Sequence, residues 1–455
     1  MSAVAPEMPR RSSLTAQLAR LRKLFTISSF LAMARVAGAV AGFITQLLLA
    51  RTLHASSLGI FYSVVSLSAV VGLIASHGYP AIAPRFVSRY REQGRPGLIL
   101  AFLHHARVES RLYVSLAGFA VLIFAALWPG LDNVTRVALF AGVAAIPAHA
   151  ALRVNGSVAL ALRHFALAYL PDTAIRPFVL LAGVALLILI GVPFDTADVT
   201  WLLTGILAVL ALSQYLLLQR NLPTAEMAPA PKRLTRQWQR EAVPAIVVVL
   251  FIAFFADVDI LMLTPLMSSA EIGMFGLCLK LAMLVGFAVQ VAQQVVVPDL
   301  ADAHARKSYA PIRDVMLKAL AFPLVVTVGS LIAVAFWGSW MLSLFGPEFA
   351  GAKLTLLILL VSQLVRVLFG PNIGLITVIG AQKENSWIAL TSLAVLLGGN
   401  LVLAPLYGPE GAAFAVLAAI TFWMIACSVM LYRITGLRTD ALYLLSKGRA
   451  AGEQG

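Results

Sequence analysis

Seven ionisable side chains, Arg35, Arg153, Arg176, Asp257, Asp259, Lys280 and Arg366, fall inside long apolar stretches of this 455-residue chain. A charge placed in hydrocarbon is costly, so residues of this kind are rare and by default mark a path for an ion or a polar substrate. Five cations against two anions leave an excess that pairing among them cannot neutralise. Such an excess suits an anion. Arginine offers a fork of donors matched to phosphate oxygens, and lysine a mobile point charge.

Helical spacing orders these residues. Ser28, Arg35, Gly42 and Gln46 recur at intervals of 7, 7 and 4, within about 40° of one helix face. Lys280, Phe287 and Gln294 form a comparable face, and Ser362, Gln363 and Arg366 cluster on another helix. A polar stripe through an apolar helix faces a water-filled cavity or a bundle interior. Arg35, Gln46, Lys280, Gln294 and Arg366 are therefore candidates for lining a substrate path. Arg153 is a further candidate, with snorkelling toward the membrane surface as the alternative. Arg176 follows Asp172 by four residues, the spacing of an ion pair on one helix, and is read as structural. Asp257 and Asp259 point about 200° apart, so only one faces a given cavity. Both are candidates for coupling transport to a cation gradient. Asp259 is expected at the cavity, and a permanent buried ion pair is the competing reading.

Other chemistry has little to stand on. The chain contains no Walker-type loop and no metal-ligand spacing. His104 and His105 are adjacent and project about 100° apart on a helix, which argues against a shared metal ion. No Ser-His-Asp set shares one aqueous face. No catalytic residue, metal or cofactor is expected. Cys278 and Cys427 lie in apolar runs and imply no disulfide.

The elements that must position these side chains are membrane helices. Hydrophobic residues make up 60% of the chain and charged ones 12%, with a mean hydropathy of +0.91. A soluble chain is roughly a quarter charged, so a soluble enzyme, a nucleic-acid-binding domain and a secreted disulfide scaffold are excluded. The net charge of +14 then reads as basic loops kept in the cytoplasm, not as a nucleic-acid surface. The apolar stretch 25–50 is too long for a signal-peptide core and reads as a first span. Twelve spans are placed at 25–50, 57–78, 109–128, 136–162, 168–191, 198–219, 242–266, 270–297, 316–345, 351–379, 386–406 and 410–433.

A polar, Pro- and Ala-rich and then basic segment divides them six and six. The expected organisation is a basic amino-terminal segment (1–24), an amino-terminal lobe (25–218), a linker (219–241), a carboxy-terminal lobe (242–433) and a tail (434–455), with segment, linker and tail in the cytoplasm. On this plan 26 of the 34 Lys and Arg lie on cytoplasmic segments, against Arg51, Arg136 and Lys353 in external turns. That bias places both termini in the cytoplasm. An offset of 214 residues lays Leu58-Gly59-Ile60-Phe61 on Ile272-Gly273-Met274-Phe275, and Pro84 on Pro298. The halves therefore read as parallel repeats. Gly38 and Gly42 are read as a close helix contact.

The segment ARTLHASSLGIFYSVVSLSAVVGLIASHGYPAIAPRFVSRY resembles the first loop and second helix of polysaccharide-transport flippases. DVDILML, SSAEIGMFGLCLKLAMLV and VVVPDLADAHARKS are similar to that family's seventh and eighth helices, and LFGPEFAGAKLTLLILL, IGAQKEN and YGPEGAAFAVLAAI to its later landmarks. These are the Wzx-like O-antigen and exopolysaccharide exporters of the multidrug/oligosaccharidyl-lipid/polysaccharide (MOP) superfamily. The resemblance implies an all-α, MATE-like fold of about 12 transmembrane helices in two lobes. It implies a carrier without catalysis in a bacterial inner membrane, moving an undecaprenyl-pyrophosphate-linked glycan by alternating access. The implied surroundings are the lipid bilayer, with a polysaccharide polymerase and a chain-length regulator as partners. Proton and sodium coupling both stay open. The alternatives are a cation-coupled multidrug exporter or a lipid II exporter of the same superfamily and, more distantly, an integral glycosyltransferase or polymerase. The cation excess argues against the first, and the shortness of the external connections against the last.

Overall fold

The computed structural model describes residues 11–305, 312–370, 372, 375–376, 379 and 381–435. Regular structure among them is helical. The order is α1 (Arg11–Ala75), α2 (Tyr79–Glu92), α3 (Pro96–Leu127), α4 (Asn133–Ala161), α5 (Phe165–Leu170), a π-helical turn (Pro171–Ile175) and α6 (Arg176–Ile190). It continues with α7 (Thr196–Asn221), α8 (Lys232–Leu263), α9 (Ser269–Ala305), α10 (Ile312–Ser343), a 3-10 turn (Pro347–Ala352), α11 (Lys353–Leu368) and α12 (Gln382–Thr435).

Nine stretches of the described residues are long and apolar enough to cross a membrane. Two of them bend once: α1 at His54, and α12 at Gly408, which precedes Pro409. Each bend turns one long helix into two passes, and α8 completes the set of twelve expected from the sequence. Large apolar side chains on the outer surface, such as Leu127, Leu189 and Phe336, are 75%, 83% and 75% exposed. A surface of that kind is stable only against lipid.

Local chemistry sets the ends. Asp132 caps α4 by accepting from the Thr135 N–H, and Asp195 caps α7 in a reciprocal box with Asp198. Gly191 ends α6 in the left-handed region at φ 72°. Several elements extend beyond the stretches read from sequence, α1 beginning at Arg11 instead of 25 and α9 running to Ala305 instead of 297. α3 begins at Pro96 instead of 109, and α8 at Lys232 instead of 242, so the true loop of the linker is 222–231. The α8 extension is strongly charged, that of α3 is apolar up to His104 and His105, and the two pack on each other through Phe102 and Trp238, whose rings meet edge to face at 5.2 Å.

The lobes meet along α1 beyond His54, which lies against α8 and α9. A continuous apolar core crosses this seam, from Leu49 and Phe61 to Phe275, Leu359 and Ala412. Gly38 supports the close contact read from sequence: a Cβ there would lie 1.9 Å from the Thr173 carbonyl oxygen, whereas Gly42 faces open space. Cys278 and Cys427 are buried free thiols.

Candidate functional site

Charged residues converge in the middle of the seam. Asp257 of α8 accepts a hydrogen bond from the Ser66 hydroxyl of α1 at 2.9 Å, across the lobe boundary. It also lies within electrostatic reach of Arg153 of α4 and Lys280 of α9. Lys280 places its ammonium 4.9 Å from the centre of the Tyr62 ring, a cation–π contact between lobes. The Tyr62 hydroxyl in turn donates to Gln46 Oε1 at 2.5 Å. On the amino-terminal side, Asp172 and Arg176 form the expected pair at 2.9 Å. They do so across the π turn, in which the Arg176 N–H donates to the Pro171 carbonyl. Such turns are frequent at functional positions. Arg153 interacts with this pair as well.

Four candidates from the sequence, Gln46, Arg153, Asp257 and Lys280, thus share one site. Arg35 and Arg366 are placed elsewhere. The Arg35 guanidinium stacks 4.7 Å over the Tyr169 ring of α5. Arg366 lies within the carboxy-terminal lobe, where its Nη1 donates to Gln363 Oε1 at 3.4 Å and Gly286 of α9 leaves room for both. Gln294 lies on α9, with its side chain outside the described residues.

The two aspartates exchange the places expected of them. Asp259 is fully buried inside the carboxy-terminal lobe, where Asn400 Nδ2 of α12 donates to its Oδ1 at 2.5 Å. Its Oδ2 has no hydrogen-bond partner among the described residues. The repeat offset pairs Asp259 with Thr45, which is buried as well, at 1% exposure. The offset says nothing of which helix face meets the seam. The partner of Asp259 is a neutral amide, so neither the cavity-facing placement expected of it nor the competing reading of a buried ion pair describes its surroundings.

Tyr62, Ser66, Tyr169 and Asn400 were not singled out from the sequence. Tyr62 and Ser66 are four residues apart and share a helix face, a weak signal. Asn400 carries none, because a single amide in an apolar run is ordinary.

At one end of the molecule the α8 base is latched to the amino-terminal lobe. Trp238 is fully buried and its indole N–H donates to the Tyr90 hydroxyl at 3.0 Å. Tyr79 donates to Glu109 at 2.7 Å, Gln239 donates to the same carboxylate, and Arg85 pairs with Glu241. Burial, and then the bond to Glu109, hold the Tyr79 phenol well above its ordinary pKa. It remains a donor at any physiological pH. At the other end, where α1 bends, the lobes touch through backbone. A Cβ on Gly59 would lie 1.8 Å from the Ser269 carbonyl oxygen, and one on Gly273 2.0 Å from that of Ala55. These four residues are the repeat-equivalent pairs, in reciprocal contact. Thr264 donates to Ser63 nearby at 3.0 Å.

Comparison with known proteins accords with this architecture. The polysaccharide biosynthesis protein family matches residues 27–304. The lipid II flippase MurJ in an inward closed conformation superposes with a TM-score of 0.62 at 14% identity, over 88% of this chain and 87% of that one. An inward-facing multidrug resistance MATE transporter of the MOP superfamily gives 0.57 at 12% identity, over 89% and 94%. A MOP superfamily transporter from Pyrococcus furiosus, distinguished by reversed polarity of its binding pocket, gives 0.56 at 13%, over 91% and 95%. Likeness at these identities is likeness of fold. No match is found among curated protein sequences. With more than half its length matched, the chain belongs to the polysaccharide biosynthesis protein family, and it shares the fold of the MurJ flippase and the MATE transporters.

Proposed function

We propose that the chain carries an undecaprenyl-pyrophosphate-linked oligosaccharide across the bacterial inner membrane by alternating access, for O-antigen, capsule or exopolysaccharide assembly. The linker end faces the cytoplasm, as the distribution of Lys and Arg requires. The supporting observation is the seam itself: Lys280 and Arg153 from opposite lobes both lie within electrostatic reach of Asp257. A pyrophosphate entering between the lobes competes with Asp257 for those two cations, so the site exchanges an internal anion for the substrate's. The sugar head follows the parting lobes while the lipid tail stays in the bilayer. Gln46 extends the polar path, Arg35 and Arg366 supply cations outside the seam for other stages of the passage, and Asp259 with Asn400 forms the coupling element. A buried carboxylate with only an amide on it favours taking up a proton or a sodium ion.

Flipping of the lipid-linked repeat unit in membrane vesicles tests this. Lys280→Gln lowers the initial rate by at least about tenfold, the loss of one charge-assisted contact worth about 1.5–3 kcal/mol, with membrane abundance unchanged. Normal flipping by the Lys280→Gln, Arg153→Gln double variant would end the anion-exchange reading. In the same vesicles Asp259→Asn flips substrate without dependence on an imposed proton or sodium gradient. Flipping that stayed fully gradient-dependent would remove Asp259 from coupling. Lipid II carries the same pyrophosphate, and the fold likeness to MurJ keeps it as the second reading; parallel assays with each glycan separate the two.

A further inference from the structure

A cavity with a largely apolar wall, bordered by two arginines, lies on the back of the amino-terminal lobe, away from the seam. It has a volume of about 140 Å³ and is walled by Arg107, Ser110 and Arg111 of α3, Pro147 and Asn155 of α4, and Tyr215 of α7. The opposite face of α4 carries Gly142 and His149, which meet Val64 and Gly72 of α1. The cavity and the substrate seam are thus separated by the full thickness of that helix.

The cavity is built and incompletely used. Asn155 Oδ1 accepts from Arg107 Nε at 3.1 Å and from Nη2 at 2.8 Å, and the guanidinium carbon lies 4.5 Å from the centre of the Tyr215 ring. These contacts fix the fork without neutralising it. No carboxylate pairs with Arg107 or Arg111 among the described residues. The Ser110 hydroxyl, in a residue 6% exposed, has no hydrogen-bond partner among them either. Two guanidinium groups and an unused hydroxyl at one opening are donors awaiting an acceptor with several oxygens.

Depth identifies the acceptor. α3 has 32 residues, about 48 Å at 1.5 Å per residue, whereas the hydrocarbon layer is about 30 Å thick. Counting about 20 residues back from Leu127 reaches Val108, so Arg107 and Arg111 stand at the level of lipid headgroups. Leu112 and Leu116 beside them on α3, and Leu212 and Leu216 beside Tyr215 on α7, are exposed to the bilayer. We infer that this cavity binds the phosphate of an anionic phospholipid, with Arg107 and Arg111 on the phosphate oxygens and the Ser110 hydroxyl donating a third hydrogen bond. Basic pockets between membrane helices at headgroup level are suited to such lipids.

Native mass spectrometry of the purified full chain, supplied with phosphatidylglycerol and phosphatidylcholine of identical acyl chains, tests the site. Wild-type protein retains phosphatidylglycerol over phosphatidylcholine by about fivefold or more. Arg111→Gln, at an exposed position, brings the ratio near unity, and Ser110→Ala lowers it in part. Arg236→Gln, on the distant α8 base, keeps the wild-type ratio. Equal retention of the two lipids by wild type, an unchanged ratio in Arg111→Gln, or an equal loss in Arg236→Gln would each overturn the inference. Excess inorganic phosphate leaves lipid retention intact; displacement by it would overturn the lipid assignment in favour of a soluble phosphate. Because the cavity is remote from Lys280 and Asp257, the result is independent of what the seam transports.

Discussion

Where α1 bends at His54, the two lobes meet through Gly59 and Gly273, backbone against backbone, with almost no side chain between them. At the linker end they meet through a buried indole, a shared carboxylate and an ion pair. The first contact is steric and symmetric, since repeat-equivalent residues face each other and either can slide off the other. The second is chemical and one-sided: Trp238 of α8 is inserted among Tyr90 and Phe102 of the other lobe. A transporter that rocks needs one surface that parts readily and one that holds register. Small residues permit the former and hydrogen-bonded aromatics the latter.

The largest effect is expected at the linker end. Trp238→Ala removes a fully buried indole and should cost about 3–5 kcal/mol, read as a lower unfolding temperature of the detergent-solubilised protein. Trp238→Phe keeps most of the volume and falls between. A negligible change in the alanine variant would mean that the latch contributes nothing and that the ends do not differ.

A middle-sized effect belongs to the glycine contact. Gly273→Ala places a methyl against the Ala55 carbonyl, an overpacking of about 1–3 kcal/mol. It should push the lobes apart there and raise thiol-reagent labelling of a cysteine placed at Thr264. Trp238→Ala should leave that labelling unchanged. A rise in both variants would show that the two ends open together.

The smallest effect serves as a reference at the bend end, outside the seam. Asp132→Ala removes the α4 cap at a cost of about 1 kcal/mol. The Thr135 hydroxyl and then its backbone N–H hold the Asp132 carboxyl below its ordinary value. Its contribution is therefore complete above about pH 4, the unfolded value, and is lost as pH falls through the lowered folded value. Thermal unfolding at falling pH should show the wild type converging on the variant, and parallel curves would discount the cap.

Much of this architecture was legible in the sequence because hydrocarbon tolerates few patterns. Asn133–Ala161 and Thr196–Asn221 lie within three residues of the stretches read from hydropathy, 136–162 and 198–219. The reading failed where helices outlast their apolar runs. Hydropathy reports contact with lipid, not helicity, so the charged first turns of α8 passed for loop, and α3 was cut short because its apolar start is interrupted by His104, His105 and Arg107. In the site, Asp257, Lys280 and Arg153 stood out because charge in an apolar run is rare. Tyr62 and Ser66, which connect them, are common membrane residues and carried no comparable signal. The orientation of Asp259 was beyond reach because it depends on a contact with Asn400, 141 residues away.

The docking of the α8 base changes what counts as the joint between the halves. The 222–231 loop is not a tether between two moving bodies. Ala228 donates to the Gly97 carbonyl, and Trp238 fastens the next element to the same lobe. Everything up to about residue 242 is thus attached to the amino-terminal lobe, and a swivel between the halves would have to lie within α8 itself. Pro244 stands there, two residues beyond Ala242, whose carbonyl lies against Gly78, and deprives the helix of one backbone hydrogen bond. A chain severed in the loop would therefore hand its second fragment a built-in plug for the first, and the two pieces would assemble as a split transporter with its swivel intact.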